Sequence, residues 1–304
     1  MTSLQLFSQQ LTHGLTLGAI YALIALGYTM VYGVIQLINF AHGEVFMVGA
    51  YGALTLVLWI VPSLGFIPWW ILVLLCGFGA MIVCAALGWG MERIAYRPIR
   101  HAPRLNALIT AIGMSFFLQN TLMVLYGATD RHFPSLIPLL RWELGGVRVT
   151  LMQLIVWISS AVLMMALHTL VTSTKLGKAM RAVSQDPVAC ALLGISVDRI
   201  ISITFVIGSS LAAFGGMLFG FHYGTINFHD GYLLGLKAFT AAVLGGIGNI
   251  PGAMVGGLLL GVLEGLGAGY LSSQWKNVFA FVVLVLLLLC KPRGLLGERL
   301  ADRA

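Results

Sequence analysis

The sequence predicts an all-α polytopic membrane protein of about eight membrane segments, two of them broken or re-entrant, with the N-terminus outside and the C-terminus inside. Three observations carry that expectation. Hydrophobic residues fill 59% of the 304 positions and charged residues only 9%, where soluble domains carry roughly 25% charged residues. The apolar residues fall into runs long enough to cross a ~30 Å hydrocarbon core at ~20 residues per helix. Lys and Arg cluster in alternate loops between those runs, as the positive-inside rule requires of a multi-pass chain.

The runs place spans at 14–34, 43–61, 69–89, 106–126, 151–171, 201–221, 236–268 and 275–290. The opening MTSLQLFSQQLTHG has no Lys or Arg. It lacks the basic n-region of a cleavable signal peptide, so the first span is expected to be retained. Between the first two runs lies LINFAHGEVFMVGAY, with Asn39, His42 and Glu44 close together and no basic residue beside them. Ionisable groups at membrane depth are costly unless paired or hydrated, and non-helical backbone there needs protein or a water-lined cavity around it. The turn is therefore expected to be tucked into the protein. It either lines a route or gate, or caps the broken backbone; both readings stand.

The next loops set the orientation. Arg93, Arg97, Arg100 and Arg104, then Lys175, Lys178, Arg181 and Arg199, then Lys291, Arg293, Arg299 and Arg303 make twelve of the 17 Lys and Arg on one side. Arg131, Arg141, Arg148, Lys237 and Lys276 fall in or beside the opposite loops. The twelve are assigned to the cytoplasm, so the net charge of +7 reports topology and not nucleic-acid binding. The cytoplasmic stretch 172–200 reads as two short helices, KLGKAMRAV and PVACALLG. Asp186 is the N-cap, Pro187 the first helical residue and Gly194 the stop. Val188, Ala191 and Leu192 make an apolar stripe flanked by Lys178 and Arg181, suited to a groove on a partner or to the lipid surface.

The seventh run, LKAFTAAVLGGIGNIPGAMVGGLLLGVLEGLGAG, would make a ~50 Å helix at ~1.5 Å per residue, too long for one crossing. Asn249 and Pro251 among glycines are turn chemistry. A hairpin reversing at GIGNIPG is expected, its first arm of about eleven residues reaching half way across. Gly248, Gly252 and Gly256, and Gly257, Gly261, Gly265 and Gly269, recur every four residues as a face for close helix packing. Gly245, Gly246 and Asn249 at the break are placed to expose backbone groups to a solute. Glu264 and His222 are expected to be interfacial or paired. Interrupted segments in both halves of a chain point to a transport site.

Of Cys76, Cys84, Cys190 and Cys290, three lie in apolar runs and none forms a CxxC pair, so small buried hydrophobes are expected there and no metal site. The sequence has no GxxxxGK[ST], HExxH or GxSxG. No catalytic centre is expected, and transport energy must come from another subunit or from an ion gradient.

The stretches GLTLGAIYALIALGYTMVYGVIQLINFAHGEVFMVGAY, ERIAYRPIR, ALITAIGMSFFLQN and AFTAAVLGGIGNIPGAMVGGLLLG, in that order, closely resemble the LivH-type permease. This is a membrane subunit of the bacterial high-affinity branched-chain amino-acid ABC importer, and the resemblance runs nearly end to end. It implies one transmembrane permease domain over 1–304 in the inner membrane, a LivM-type second permease chain, two cytoplasmic ABC ATPase subunits and a periplasmic amino-acid-binding protein. No cofactor is implied in this chain, ATP being bound by the ATPases. Lys178, Arg181, Asp186, Pro187 and Gly194 match the segment that touches the ATPases. NFAHGE (with Asn39, His42, Gly43 and Glu44) and GGIGNIPG (with Gly245, Gly246 and Asn249) match broken elements near the translocation path or gate. Related permeases for urea, amides or other amino acids share much of this pattern. The rival reading is an ion-coupled transporter working alone, with Glu44, His42 or Glu264 carrying a proton or sodium ion.

Overall fold

The computed structural model describes residues 3–63, 67–100, 102–291 and 294–297. Of the basic tail, Arg293, Arg299 and Arg303 lie outside the described residues, as does the side chain of Arg104. Helices α1 (Ser3–Ile35), α2 (His42–Ser63), α3 (Trp69–Met91), α4 (Arg104–Tyr126), α5 (Leu151–Ser173) and α8 (Val197–Tyr223) form the frame. Short α6 (Lys175–Gln185) and α7 (Pro187–Leu192) connect α5 to α8, and α9 (Asp230–Gly245), α10 (Ile250–Tyr270) and α11 (Lys276–Cys290) follow. The strands are brief: β1 (Arg131–His132) pairs antiparallel with β4 (Thr225–Ile226), and β2 (Arg141–Leu144) with β3 (Val147–Thr150). Among the described residues, 8 helices are long and apolar enough to cross a membrane. The chain is an all-α polytopic membrane protein.

Helix α1 is the axis. Every residue from 18 to 31 is buried, the expected fate of a helix that is apolar all round. It begins at Ser3, well before the expected start at 14, because its polar first turns are satisfied partly within the helix and partly by β3. The Ser8 and Thr12 hydroxyls donate to the carbonyls four residues back, and the Gln9 amide both donates to and accepts from the Arg148 backbone in β3.

Glycines let α10 approach two neighbours at once. Gly257, Gly261 and Gly265 meet the α1 backbone at Ala22, Gly18 and Gly14. Gly252 and Gly256 meet α9 at Gly245 and Ala241. The pairs run in opposite order along the two helices in each case, so α9 and α10 form the hairpin that the sequence requires. Two details differ from expectation. Gly248 is not on the α10 face but in the turn, with φ +95° and open space around it. The first arm has 16 residues, not about eleven, because His229 and Asp230 start it earlier.

Side-chain contacts sort the molecule into two ends. One carries the turns 36–41, 92–100 and 246–249 together with α6 and α7; the other carries the strands and the 224–230 turn. At the first end α3 continues into a π-helical turn, Glu92–Tyr96. Buried Glu92 accepts from Arg100 and from the Ser202 hydroxyl at 2.5 Å, and Asp198 accepts from Arg97 and from Arg100 at 2.6 Å, fastening this turn to α8. Lys237 corrects the charge map. It is not at an outer loop but buried on α9, two turns inside. The cysteines need a correction too: Cys76, Cys84 and Cys190 are buried, while Cys290 is exposed at the end of α11.

Candidate functional site

The first break lies inside the bundle. Gln36 has φ +54° and ends the helical run of α1; the chain has no regular structure over 37–39 and turns at 40–41 before α2 starts at His42. The His42 ring sits where a Cβ on Gly27 would fall. Gly27 precedes the end of α1 by eight residues, about 12 Å of helix rise, so the chain has doubled back to that depth. Asn39 holds the turn: its side-chain oxygen accepts from Ala41 N at 3.1 Å and from the Tyr96 hydroxyl at 2.6 Å. His42 stands edge-on to Tyr28 with ring centroids 4.9 Å apart. Gly43 lies against the backbone of Gly235 in α9. Glu44 accepts from the Ser115 hydroxyl of α4 at 3.4 Å. Asn39, His42 and Glu44 are 4%, 1% and 1% exposed. His42 Nε2 and Glu44 Oε2 have no protein hydrogen-bond partner, and such groups buried in a low-dielectric interior want water or a solute.

The second break needs its glycines. Gly246 and Gly248 have φ +106° and +95°, backbone that L side chains rarely adopt. Asn249 caps α10 by accepting from Gly252 N at 3.1 Å, and Pro251 occupies the first turn, where its missing N–H costs nothing. The break is occupied by its own chain. The Leu244 and Gly245 carbonyls accept from Leu295 N and Leu296 N at 2.8 and 3.0 Å, and the Asn249 amide donates to the Leu296 carbonyl at 2.6 Å. Gly245 is packed on the Gly252 backbone. A cavity of about 60 Å³ joins Gly248 and Ile250 to Gly33 of α1 and to Met180 and Arg181 of α6. The second break thus faces α6 across this cavity, and Gly43 sets the first break against α9.

In that segment the capping is as read from the sequence. Asp186 accepts from Val188 N and Ala189 N at 2.9 Å each, Pro187 opens α7, and Gly194 follows it at φ +82°. Lys178 is exposed. Arg181 is turned back on its own chain and donates to the Val171 and Thr172 carbonyls at the end of α5, a favourable place for a cation. Val188, Leu192 and Leu193 stand out, 69%, 84% and 80% exposed.

A third polar centre was not foreseen as one. Lys237 Nζ donates to Glu264 Oε1 at 2.6 Å, and the Tyr21 hydroxyl donates to Glu264 Oε2 at 2.9 Å. All three are almost fully buried and line a cavity of about 270 Å³ that opens past Asp130, Asn227, Asp230 and Lys276. Glu264 is paired, as expected; its partner was misplaced because α9 was started at 236. A signal was available. In a hairpin reversing at 246–249, Lys237 lies opposite Leu260, one turn from Glu264 and within reach of its long side chain, and the two are the charged residues of the run 236–268. Among the described residues no group of three or more His, Cys, Asp and Glu could hold a metal ion.

Apolar spans around interrupted segments, with charged groups gathered at a break and a cavity, define a polytopic membrane protein of the transport class. Residues 10–288 match the family described as the branched-chain amino acid transport system / permease component, and the chain belongs to that family. It is 49% identical over 297 residues to the high-affinity branched-chain amino acid transport system permease protein LivH of Salmonella typhimurium, covering 96% of each chain. Identity to its Pseudomonas aeruginosa counterpart, BraD, is 48% over 298 residues, again 96% of each. A shorter likeness, 31% over 123 residues, covers 40% of this chain and 28% of the permease protein LivM of Escherichia coli. No solved structure matches the chain.

Proposed function

We propose that this chain is the permease subunit of a bacterial inner-membrane ABC importer that carries branched-chain amino acids from periplasm to cytoplasm. Residues 1–304 act as one transmembrane domain, with the basic end in the cytoplasm. A LivM-type chain completes the membrane part; two ABC ATPases bind the ATP, so this chain needs no cofactor. A periplasmic binding protein docks over 127–150 and 222–235. The observation that carries the reading is the α6–α7 segment. It presents an unpartnered apolar tip, Val188, Leu192 and Leu193, while Met180 and Arg181 on α6 face the second break across a small cavity that Gly248 and Ile250 also line. A push on α7 that closes this cavity would reach the α9–α10 hairpin, and through the packing of Gly43 on Gly235 the Asn39–Glu44 turn. That is the linkage alternating access needs. Lys178, Asp186, Pro187 and Gly194 shape and flank the docking tip, and Arg181 anchors it to α5. Asn39, His42, Gly43, Glu44, Gly245, Gly246 and Asn249 form the gate that moves. Family membership favours this over an ion-coupled carrier.

The test is leucine uptake by liposomes holding the full assembly, with ATPase co-purification as a second readout. Leu192→Asp should abolish co-purification and uptake together. Uptake that persists without ATP hydrolysis but collapses with the proton or sodium gradient would overturn the reading.

A further inference from the structure

We infer that the cavity floored by Tyr21, Lys237 and Glu264 is a subsite for the zwitterion of an α-amino acid, and that the Lys237–Glu264 ion pair selects it. The inference rests on the importer reading and deepens it by locating cargo selection in this chain. The cavity opens at the end opposite the basic loops, where cargo would be handed over. Its mouth is polar, with the Asn227 amide donating to Asp130 at 2.6 Å and Asn227 N donating to Asp230 at 2.9 Å. Phe219, Ile226 and Leu234 are apolar wall residues, and the ion pair lies at the bottom with 4% and 2% of its side chains exposed. A volume of about 270 Å³ holds about nine water-sized groups at ~30 Å³ each. Leucine has about that many non-hydrogen atoms.

The chemistry of opening the pair decides the ligand class. In the structure each charge has the other as partner, and the ammonium has a further acceptor in the Tyr21 hydroxyl at 3.4 Å. A solute reaching the floor must part them. A neutral amide or urea leaves two buried charges without counter-charges, and a lone carboxylate or lone amine leaves one, each a heavy penalty in a desolvated site. An α-amino acid supplies both charges. Its carboxylate takes the Lys237 ammonium and its ammonium takes the Glu264 carboxylate, so two ion pairs replace one and the net charge is unchanged. The aliphatic side chain then lies on the apolar wall. A site that leaves its own buried groups unpaired in the wrong complex rejects that complex strongly.

The experiment compares Lys237→Met, Glu264→Met and the double variant in the full assembly, reading leucine uptake alongside ATPase co-purification and melting temperature. Each single change leaves a lone buried charge and can fail to fold; the double change removes both charges and is expected to be tolerated, since an apolar pair often replaces a buried ion pair without loss. The double variant should co-purify and melt like wild type yet lose at least about tenfold of leucine uptake. Recovery of uptake to within about twofold of wild type would show a structural brace and overturn the inference. A second measurement needs no variant. Labelled leucine bound to the wild-type permease–ATPase complex, without binding protein, should be displaced by valine but not by 4-methylpentanoate or 3-methylbutylamine. Equal displacement by either single-charge analogue, or no saturable leucine binding, overturns the inference. Wild-type liposomes that take up no leucine would overturn the importer reading, and the displacement experiment still judges the subsite.

Discussion

Replacing Gly18 with valine should force α1 and α10 apart and destabilise the protein more than its small size suggests. A Cβ at Gly18 would lie 2.8 Å from Leu258 Cα, 2.9 Å from Leu258 O and 3.0 Å from Gly257 O. Carbon contacts prefer ~3.5–4.0 Å, so the helices must separate by roughly 0.7–1.2 Å. The obstructing atoms are backbone and cannot rotate away. Overpacking of this kind costs about 1–3 kcal/mol, against which alanine regains about 0.5–1 kcal/mol of helix propensity and valine less. Gly18→Ala should therefore lose ~1 kcal/mol and Gly18→Val ~2–3 kcal/mol. Gly52→Ala on α2 is the matched control, because its Cβ would meet nothing within 4 Å. Thermal unfolding of the purified chain in mild detergent, followed by tryptophan fluorescence, should show Gly18→Val melting below Gly18→Ala. Gly52→Ala should melt at or slightly above wild type. Gly18→Val melting with wild type, or Gly52→Ala as damaging as Gly18→Ala, would refute the close seam.

Arg100→Ala should destabilise by about 3–5 kcal/mol, because it strands the fully buried Glu92 carboxylate. Arg97→Ala, at a pair 41% and 49% exposed, should cost under ~1 kcal/mol; thermal melts of the two variants check the contrast. Asn39→Leu leaves the Tyr96 hydroxyl without its acceptor and should cost ~1–3 kcal/mol, with part of the loss recovered in Asn39→Leu/Tyr96→Phe. Asp186→Ala should cost ~1 kcal/mol and fray α7, visible as faster hydrogen exchange at the Val188 and Ala189 amides with α8 unchanged.

Most of the frame was legible because apolar runs have sharp ends. The span expected at 106–126 is α4 at Arg104–Tyr126, and that expected at 151–171 is α5 at Leu151–Ser173. The α6–α7 corner was legible for a local reason: Asp186, Pro187 and Gly194 specify a cap, a start and a stop within nine residues. What failed depended on distant partners. The helical character of residues 3–13 rests on a side chain bridging to β3, which periodicity in α1 does not reveal. The burial of Asn39, His42 and Glu44 could be read from their apolar setting, but their neighbours Tyr96, Tyr28 and Ser115 come from elsewhere in the chain. Starting the span at 236 put Lys237 at its very edge, beside a loop, when α9 begins six residues earlier, and that hid the ion pair with Glu264.

The contact of Leu295 and Leu296 with the end of α9 has a consequence for biosynthesis. Those two N–H groups are the partners of the Leu244 and Gly245 carbonyls, which a helix terminus cannot satisfy from within. They leave the ribosome about fifty residues after the carbonyls they bond, and chains emerge at roughly 5–20 residues per second. For some seconds the nascent hairpin has an unfinished corner. The corner at the end of α9 is thus closed late, by a strap that arrives after both helices of the hairpin it fastens.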